Sequence, residues 1–562
     1  MKRTTIITIL SLLIALNVNA QSTTKAGRSF VSFTAVPLQQ EYAEGQKAMI
    51  RVVATAGGGA VDGVEIEFEA GQENLRTDTT GTAVFSNGEA VLNIGTMYRP
   101  GFRRCKLKFM VEGESYRDDV TVAYATRHIR PTVTEPSDFD AFWKKTLREA
   151  SKVPMTYELE DDAEHTNDQY TTQRVKLQSY SKGNYIYGYL SRPRNGKQHP
   201  VMLRVPGAGV KRVEFDDSYV KMGFTVLSIG INGIPANVSD SLLNVYRSEI
   251  GDYWVSGLES RETYYYRKIY CSLVRSIDFL TSQQDWNGRD VAVTGGSQGG
   301  ALTMVAAGLD PRVNMLVAFY PALCDIGGYA RGTTGGWPNI GKPGSKDIGV
   351  PSDKWLTTAS YYDVALFAKR IKAPGFYSYG YNDATCAPTS TCGAINNVTA
   401  EKVVVTTPAS GHWRFTESNA KAKAWVREQL AISNGSSNGW KSLADVTQSA
   451  TMTQENGYER YTEGLPVKQL RVNNAVTTGI DGTIYYTCIL IKSHSNPALT
   501  IEYGQYMNMN HKGRLMINGE IHDGVGQRNS DGTITYDLTP FGKDLYIWGV
   551  QKNVIKSEIK FQ

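Results

Sequence analysis

Apolar and polar positions along the 562-residue chain change rhythm twice. From about Gly27 to Thr126 the period is two, clearest in Val64-Glu65-Ile66-Glu67-Phe68-Glu69, where every second side chain is apolar. Such alternation makes a strand with one buried and one wet face. Further short strands, Ala48 to Ala54 and Cys105 to Val111, are separated by turns such as Ala56-Gly57-Gly58-Gly59 and Asn87-Gly88. About 100 residues of this texture predict an immunoglobulin-like β-sandwich over 27–126. Its lone cysteine, Cys105, leaves it without the inter-sheet disulfide of antibody domains, and a spacer or packing role suits it better than ligand binding.

The rhythm changes near Arg127. A helix signal at Asp138 to Leu147 is followed by strands and helices that alternate to about Ile432, which predicts a mostly parallel sheet covered by helices over 127–432. Pro200 to Val205 reads as one strand and runs into Pro206-Gly207-Ala208-Gly209, while Gly223 to Gly230 reads as the next. Tyr266, Ile269, Leu273, Ile277 and Leu280, three or four apart, predict a helix with one apolar stripe. Asp290 to Thr294 reads as a buried parallel strand, Asn314 to Phe319, Gly375 to Gly380 and Lys402 to Thr407 as strands, and Asp325 to Asp353, rich in Gly and Pro, as an irregular excursion. Within it, Gly336-Trp337-Pro338-Asn339-Ile340-Gly341-Lys342 starts like a phosphate-binding loop. Pro343 stands where that motif requires Ser or Thr, so it is set aside.

Residues 433–439, Ser-Asn-Gly-Ser-Ser-Asn-Gly, are a linker by composition. From 440 to 562 the strand rhythm returns, for example at Thr483 to Lys492 and Leu545 to Val550, and predicts a second, all-β accessory module. Tyr503, Tyr506 and Trp548 in it fit a core role better than stacking on sugars.

Composition refines this picture in three places. Residues 1–20 carry a basic start (Lys2, Arg3), an apolar run from Ile6 to Leu16 and a small-x-small end at Val18-Asn19-Ala20, the layout of a signal peptide. That run is shorter than the roughly 20 residues a spanning helix needs, so a secreted or periplasmic protein with no transmembrane segment is expected. A net charge of +5, from 60 basic and 55 acidic residues, gives no reason to expect a nucleic-acid partner. Six cysteines do not make a disulfide framework, although Cys386 and Cys392 are close enough in sequence for a bridge to be considered.

The candidate chemistry centres on Thr294-Gly295-Gly296-Ser297-Gln298-Gly299-Gly300, which fits Gly-x-Ser-x-Gly between a strand and a helix. Ser297 at such an elbow is a candidate nucleophile, and a serine hydroxyl needs a histidine base oriented by a carboxylate. With the order Ser, Asp, His expected of this fold class, His128, His165 and His199 come too early, and His494, His511 and His522 lie past the linker. His412 remains, in the loop after the Lys402 to Thr407 strand. Asp383, directly after the Gly375 to Gly380 strand, is the favoured acid, and Asp325 is its competitor. The backbone N–H groups of Ala208 and Gln298 are the candidate oxyanion donors. No metal and no organic cofactor is expected.

These residues resemble the acetyl xylan esterases and cephalosporin C deacetylases of carbohydrate esterase family seven. The resemblance runs from about Arg127 to Ile432 and rests on Thr263-Tyr264-Tyr265-Tyr266-Arg267, Arg275 to Leu280, Thr294 to Gly300 and Tyr320-Pro321-Ala322-Leu323-Cys324-Asp325. Asp383, Cys386 and Pro388 match its Asp-x-x-Cys-x-Pro segment, which carries the triad aspartate, and Gly411-His412 matches its Gly-His segment. It implies an α/β-hydrolase core and removal of acetyl groups from xylan, xylo-oligosaccharides or small acetylated compounds. It also implies homo-oligomers, which the two added β modules could block or redirect. The sequence departs from the family where Pro206-Gly207-Ala208 replaces a His-Gly-Tyr loop, where Asn232-Gly233-Ile234 replaces an Arg-Gly-Gln segment, and at Trp413, where an acidic residue is usual. Two other readings stay open: an esterase for bulkier acyl groups or a peptidase on the same fold, and a carbohydrate-binding surface protein whose hydrolase domain is inactive.

Overall fold

The computed structural model describes residues 31–39, 41–57, 59–412 and 416–434, and strands between 451 and 561. The expected leader 1–20, most of the expected linker, and Trp413, Tyr503 and Tyr506 lie outside the described residues; Trp548 is described only as part of a strand. Two compact units divide the chain, one of residues 129–379 and 383–405, the other of residues 1–128, 380–382 and 406–562.

The first unit is built on a nine-stranded sheet. In chain order its strands are β10 (Tyr157–Asp161), β11 (Tyr170–Gln178), β12 (Tyr185–Pro193), β13 (His199–Arg204), β14 (Thr225–Gly230), β15 (Trp286–Gly296), β16 (Met315–Phe319), β17 (Gly375–Gly380) and β18 (Lys402–Thr407). Across the sheet they lie in the order β10-β11-β12-β14-β13-β15-β16-β17-β18. β10, β11, β12 and β14 pair antiparallel, and from β14 through β13, β15 and β16 to β17 the pairing is parallel. The centre is parallel because its strands are apolar on both faces: Val201, Met202, Leu203, Val291, Val293 and Leu316 are all buried. This mixed sheet with its β13–β14 exchange and helical cover is an α/β-hydrolase core. The helix Tyr266–Thr281 buries the stripe of Tyr266, Ile269, Leu273, Ile277 and Leu280. The helix Gln298–Leu309 is buried almost all round, as expected of a run with scarcely a polar side chain.

Several expected boundaries shift. The helix signal at 138–147 extends to Phe139–Ser151, and the strand expected from Asp290 begins at Trp286. Between Asp325 and Asp353 no strand occurs among the described residues, in keeping with the expected excursion, and Gly336 to Lys342 has no strand before it or helix opening on it. Cys386 and Cys392 are both free, buried thiols, so the bridge considered for them is absent.

In the second unit, residues 31–124 form two sheets. β1 (Val31–Pro37), β3 (Met49–Ala56), β4 (Gly59–Ala60) and β7 (Glu89–Asn93) make one; β2 (Glu41–Tyr42), β5 (Glu65–Gln72), β6 (Thr79–Val84), β8 (Gly101–Val111) and β9 (Glu114–Tyr124) make the other. Phe33, Ile50 and Val52 of the first share a core with Ile66, Leu107 and Phe109 of the second. Arg103 is buried in this unit, where Asp78 takes two of its guanidinium N–H groups and the Ile94 carbonyl a third. The helix Thr416–Asn434 ends inside the expected linker, and the strands of 451–561 form an eight-stranded and a four-stranded sheet.

Candidate active site

Ser297 sits between β15 and the helix Gln298–Leu309 with φ 60° and ψ −125°, a backbone conformation that L-residues adopt only under constraint. The constraint is visible on both sides. Its N–H donates to the Phe319 carbonyl at 3.0 Å, and its own carbonyl accepts from Ala322 N–H at 3.0 Å and Ala301 N–H at 3.1 Å. The glycines permit this: a Cβ on Gly295 would lie 2.6 Å from the Gly299 carbonyl, and one on Gly299 would lie 2.6 Å from the Val205 carbonyl. Strand, elbow and helix are therefore in backbone contact.

The loop after β13 lies beside the elbow, since Val205 N–H donates to the Thr294 carbonyl at 3.0 Å. Pro206 to Gly209 are half-buried. Gln298, fully buried, reaches this loop with its side chain: Nε2 donates to the Gly207 carbonyl at 3.4 Å. Its Oε1 accepts from the Tyr253 hydroxyl at 2.7 Å and the Tyr266 hydroxyl at 2.6 Å. The backbone N–H of Gln298 opens the helix, where no intrahelical carbonyl is available to it.

Asp383 is fully buried, and its Oδ1 accepts from the N–H groups of Thr385 and Cys386, both at 2.8 Å. Cys386 lies in the matched Asp-x-x-Cys-x-Pro segment, but its place beside Ser297 is not readable from the sequence. Its thiol is hydrogen-bonded to the Ser297 side chain and feels the Asp383 charge. Burial first, and then that carboxylate, push its pKa well above the usual thiol value against the lowering effect of Ser297. The thiol is thus neutral and inert as a nucleophile. In this unit the structure brings together Ser297, Gln298, the Gly207-Ala208 peptide and, through Cys386, Asp383.

Asp325, the competing acid, is occupied elsewhere. Its two carboxylate oxygens accept from Thr132 N–H at 2.9 Å and Thr132 Oγ1 at 2.8 Å, and its own N–H donates to Asp363.

His412 belongs to the other unit, half-buried in the loop after β18. There Asn382 N–H donates to the Ser410 carbonyl at 2.8 Å and Tyr381 N–H to the Thr407 carbonyl at 3.3 Å, so this loop is stitched to the residues just ahead of Asp383. The same residues are held by the β8–β9 region: Arg104 Nη2 donates to the Tyr381 carbonyl at 3.2 Å, Phe102 meets the Tyr381 ring edge-on at 4.8 Å, and Asn382 Nδ2 donates to the Asp119 carbonyl at 2.9 Å.

A sequence model of the acetyl xylan esterase family matches residues 125–429. The chain belongs to the acetyl xylan esterase family. An acetyl esterase of Xylanibacter ruminicola is 36% identical over 396 residues, which span 69% of this chain and 88% of that one. Solved acetyl xylan esterases from a Paenibacillus species (24% identity, TM-score 0.46, 54% of this chain and 98% of that one) and a Thermoanaerobacterium species (22%, 0.46, 55% and 97%) are also similar. This acetyl xylan esterase family member is a serine carboxylesterase. Its Asn232, one of its departures from the family, is not idle: Nδ2 donates to the Gly209 carbonyl at 3.1 Å and Oδ1 accepts from the Tyr265 hydroxyl at 3.0 Å.

Proposed function

We propose that this protein is an exported esterase that removes acetyl groups from xylan, xylo-oligosaccharides or small acetylated compounds through Ser297, His412 and Asp383. Ser297 Oγ attacks the ester carbonyl while His412 takes its proton, and Asp383 orients His412 and balances its charge. The carbonyl oxygen becomes an oxyanion that receives the N–H groups of Ala208 and Gln298. Collapse breaks the bond to the sugar oxygen, which leaves with the proton from His412. Water, deprotonated by His412, then attacks the acetyl-Ser297 ester and releases acetate.

The observation that carries this reading is the conformation of Ser297, held at φ 60° by glycines that leave no room for a Cβ. The X. ruminicola relative named as an acetyl esterase supports the acyl group. The half-buried rings of Trp254 and Trp337, 5.8 Å apart, offer apolar faces to a sugar ring; Trp254 adjoins Tyr253, and the Trp337 carbonyl accepts from Leu323 N–H at 2.9 Å. Residues 1–20 would direct export, and the two flanking β modules would place the enzyme on polysaccharide or on a partner.

The test is acetate release from acetylated xylan and xylo-oligosaccharides by the wild type and Ser297→Ala, alongside p-nitrophenyl esters of increasing chain length. Turnover lost in Ser297→Ala and greatest on acetate is expected. Unchanged turnover in that variant removes the nucleophile, and a preference for long chains removes the acetyl assignment.

A further inference from the structure

The two halves of the oxyanion hole proposed above come from different parts of the chain, the elbow and the loop after β13. Something must fix their mutual aim, because such donors act only when preorganised towards the developing charge. The decisive bond is the one from Gln298 Nε2 to the Gly207 carbonyl. That carbonyl and the Ala208 N–H belong to one planar trans peptide, so they point in opposite directions. Fixing the oxygen therefore fixes the N–H. Gln298 contributes its own backbone N–H to one side of the hole, and its side chain sets the orientation of the peptide on the other.

A glutamine amide can do this only if it cannot turn over. Its Oε1 is pinned by two phenols, Tyr253 and Tyr266, at 2.7 and 2.6 Å, so Nε2 must face Gly207. Both rings and the amide are fully buried, and burial raises both phenol pKa values, which keeps them as donors. Tyr253 does more: its oxygen also accepts from Gly209 N–H at 3.1 Å. Asn232 takes the Gly209 carbonyl, and Tyr265 holds Asn232. Three backbone atoms flanking Ala208 are thus held by side chains, each with donors and acceptors matched.

We infer that Gln298, locked by the Tyr253 and Tyr266 hydroxyls, is the positioning residue that aligns the Ala208 N–H with the Gln298 N–H in the oxyanion hole. The inference rests on the proposed Ser297 chemistry. It also accounts for the missing family tyrosine: with alanine at 208, loop orientation is set from behind, by side chains that never touch substrate.

The test uses full-length Tyr253→Phe, Tyr266→Phe and the double variant, each losing a hydroxyl and keeping the ring, with Gln298→Leu as the more drastic change. Tyr270→Phe is the control, since its equally buried hydroxyl serves the Tyr362 carbonyl instead. The readouts are kcat and KM on p-nitrophenyl acetate, thermal midpoint, and inhibition by a methylboronic acid, whose tetrahedral adduct places an oxygen in the hole. Tyr253→Phe should lower kcat about tenfold and the double variant about a hundredfold, a share of the roughly 10²- to 10³-fold that loss of one donor costs, with KM unchanged. Boronate affinity should fall in step with kcat, and Tyr270→Phe should match the wild type. Wild-type kcat in the double variant overturns the inference, as does a loss of kcat that leaves boronate affinity untouched or that Tyr270→Phe shares. If Ser297→Ala retains the wild-type rate, the underlying reading has failed instead.

Discussion

Replacement of Gly295 by alanine tests whether the elbow is as tight as its backbone contacts imply. The added Cβ would stand 2.6 Å from both the carbonyl carbon and oxygen of Gly299 and 2.8 Å from its Cα. These are backbone atoms of a helix that is itself pressed against the Val205 carbonyl, so no flexible side chain can give way. Restoring ordinary contact requires β15 and the helix to part by about 1 Å, and overpacking of this kind costs about 1–3 kcal/mol. A displacement of about 1 Å at a catalytic group costs about 10²-fold in rate. Gly295→Ala should therefore lower kcat/KM on p-nitrophenyl acetate by about a hundredfold and the thermal midpoint by several degrees. Gly207→Ala is the matched comparison, because there the nearest atom to a new Cβ is the Gly296 carbonyl at 3.5 Å, an ordinary contact. It should keep its rate within about threefold, as expected of a site with no clash to relieve. Rates per functional serine, counted by titration with an organophosphonate, separate misplacement from loss of folded enzyme. Wild-type kcat/KM in Gly295→Ala, or equal losses in the two variants, would refute the reasoning.

Three further outcomes are expected. Asp383→Asn should reduce kcat by about 10⁴-fold, the loss typical when the acid that fixes the base tautomer becomes an amide, whereas Asp325→Asn should not; stopped assays at high enzyme concentration measure both. Asp78→Asn leaves the buried Arg103 without its counter-charge and should destabilise its unit by about 2 kcal/mol at pH 7, below the usual cost of splitting a buried pair because Asp78 is half exposed. The Arg103 hydrogen bond, the largest influence on Asp78, holds its pKa below 3.8, so its stabilisation is present above that pH and is lost as pH falls through the lowered value. Thermal midpoints of wild type and variant should converge once the pH is below that lowered value. Iodoacetamide should modify Cys386 and Cys392 only after denaturation, both then appearing alkylated by mass spectrometry; a pre-existing crosslink between them would contradict the free thiols.

How much of this was legible in the chain depends on whether a feature is periodic or local. β17 and β18 occur at the boundaries read from sequence, because each is an uninterrupted strand-forming run between turn residues. The elbow is legible because Gly295, Ser297 and Gly299 form a five-residue pattern and Gly295 is dictated by the nearby Gly299 backbone, whereas the Val205 carbonyl that requires Gly299 is distant in sequence. β10 is hard to read because it is a five-residue edge strand: Tyr157 and Leu159 alternate with Glu158 and Glu160, a period too short to stand out, and all but Leu159 are exposed. The Tyr253–Gln298–Gly207 chain joins residues 45 and 91 positions apart, and such polar bonds leave no rhythm. Tyr266 counts as one apolar position in a helical stripe, which is true of its ring and silent about its hydroxyl. Cys386, by its spacing to Cys392 a candidate for a crosslink, instead lies beside Ser297.

The grip of Arg104, Phe102 and Asp119 on Tyr381 and Asn382 bears on where this protein can be cut. Read along the chain, residues up to 126 look like a detachable front module. In space, three of their side chains or carbonyls brace the two residues that lead into Asp383. A chain cut to begin near Arg127 would keep the proposed Ser297, Asp383 and His412 and still strip Tyr381 and Asn382 of these partners, so the cut falls inside a packed unit and not between two modules.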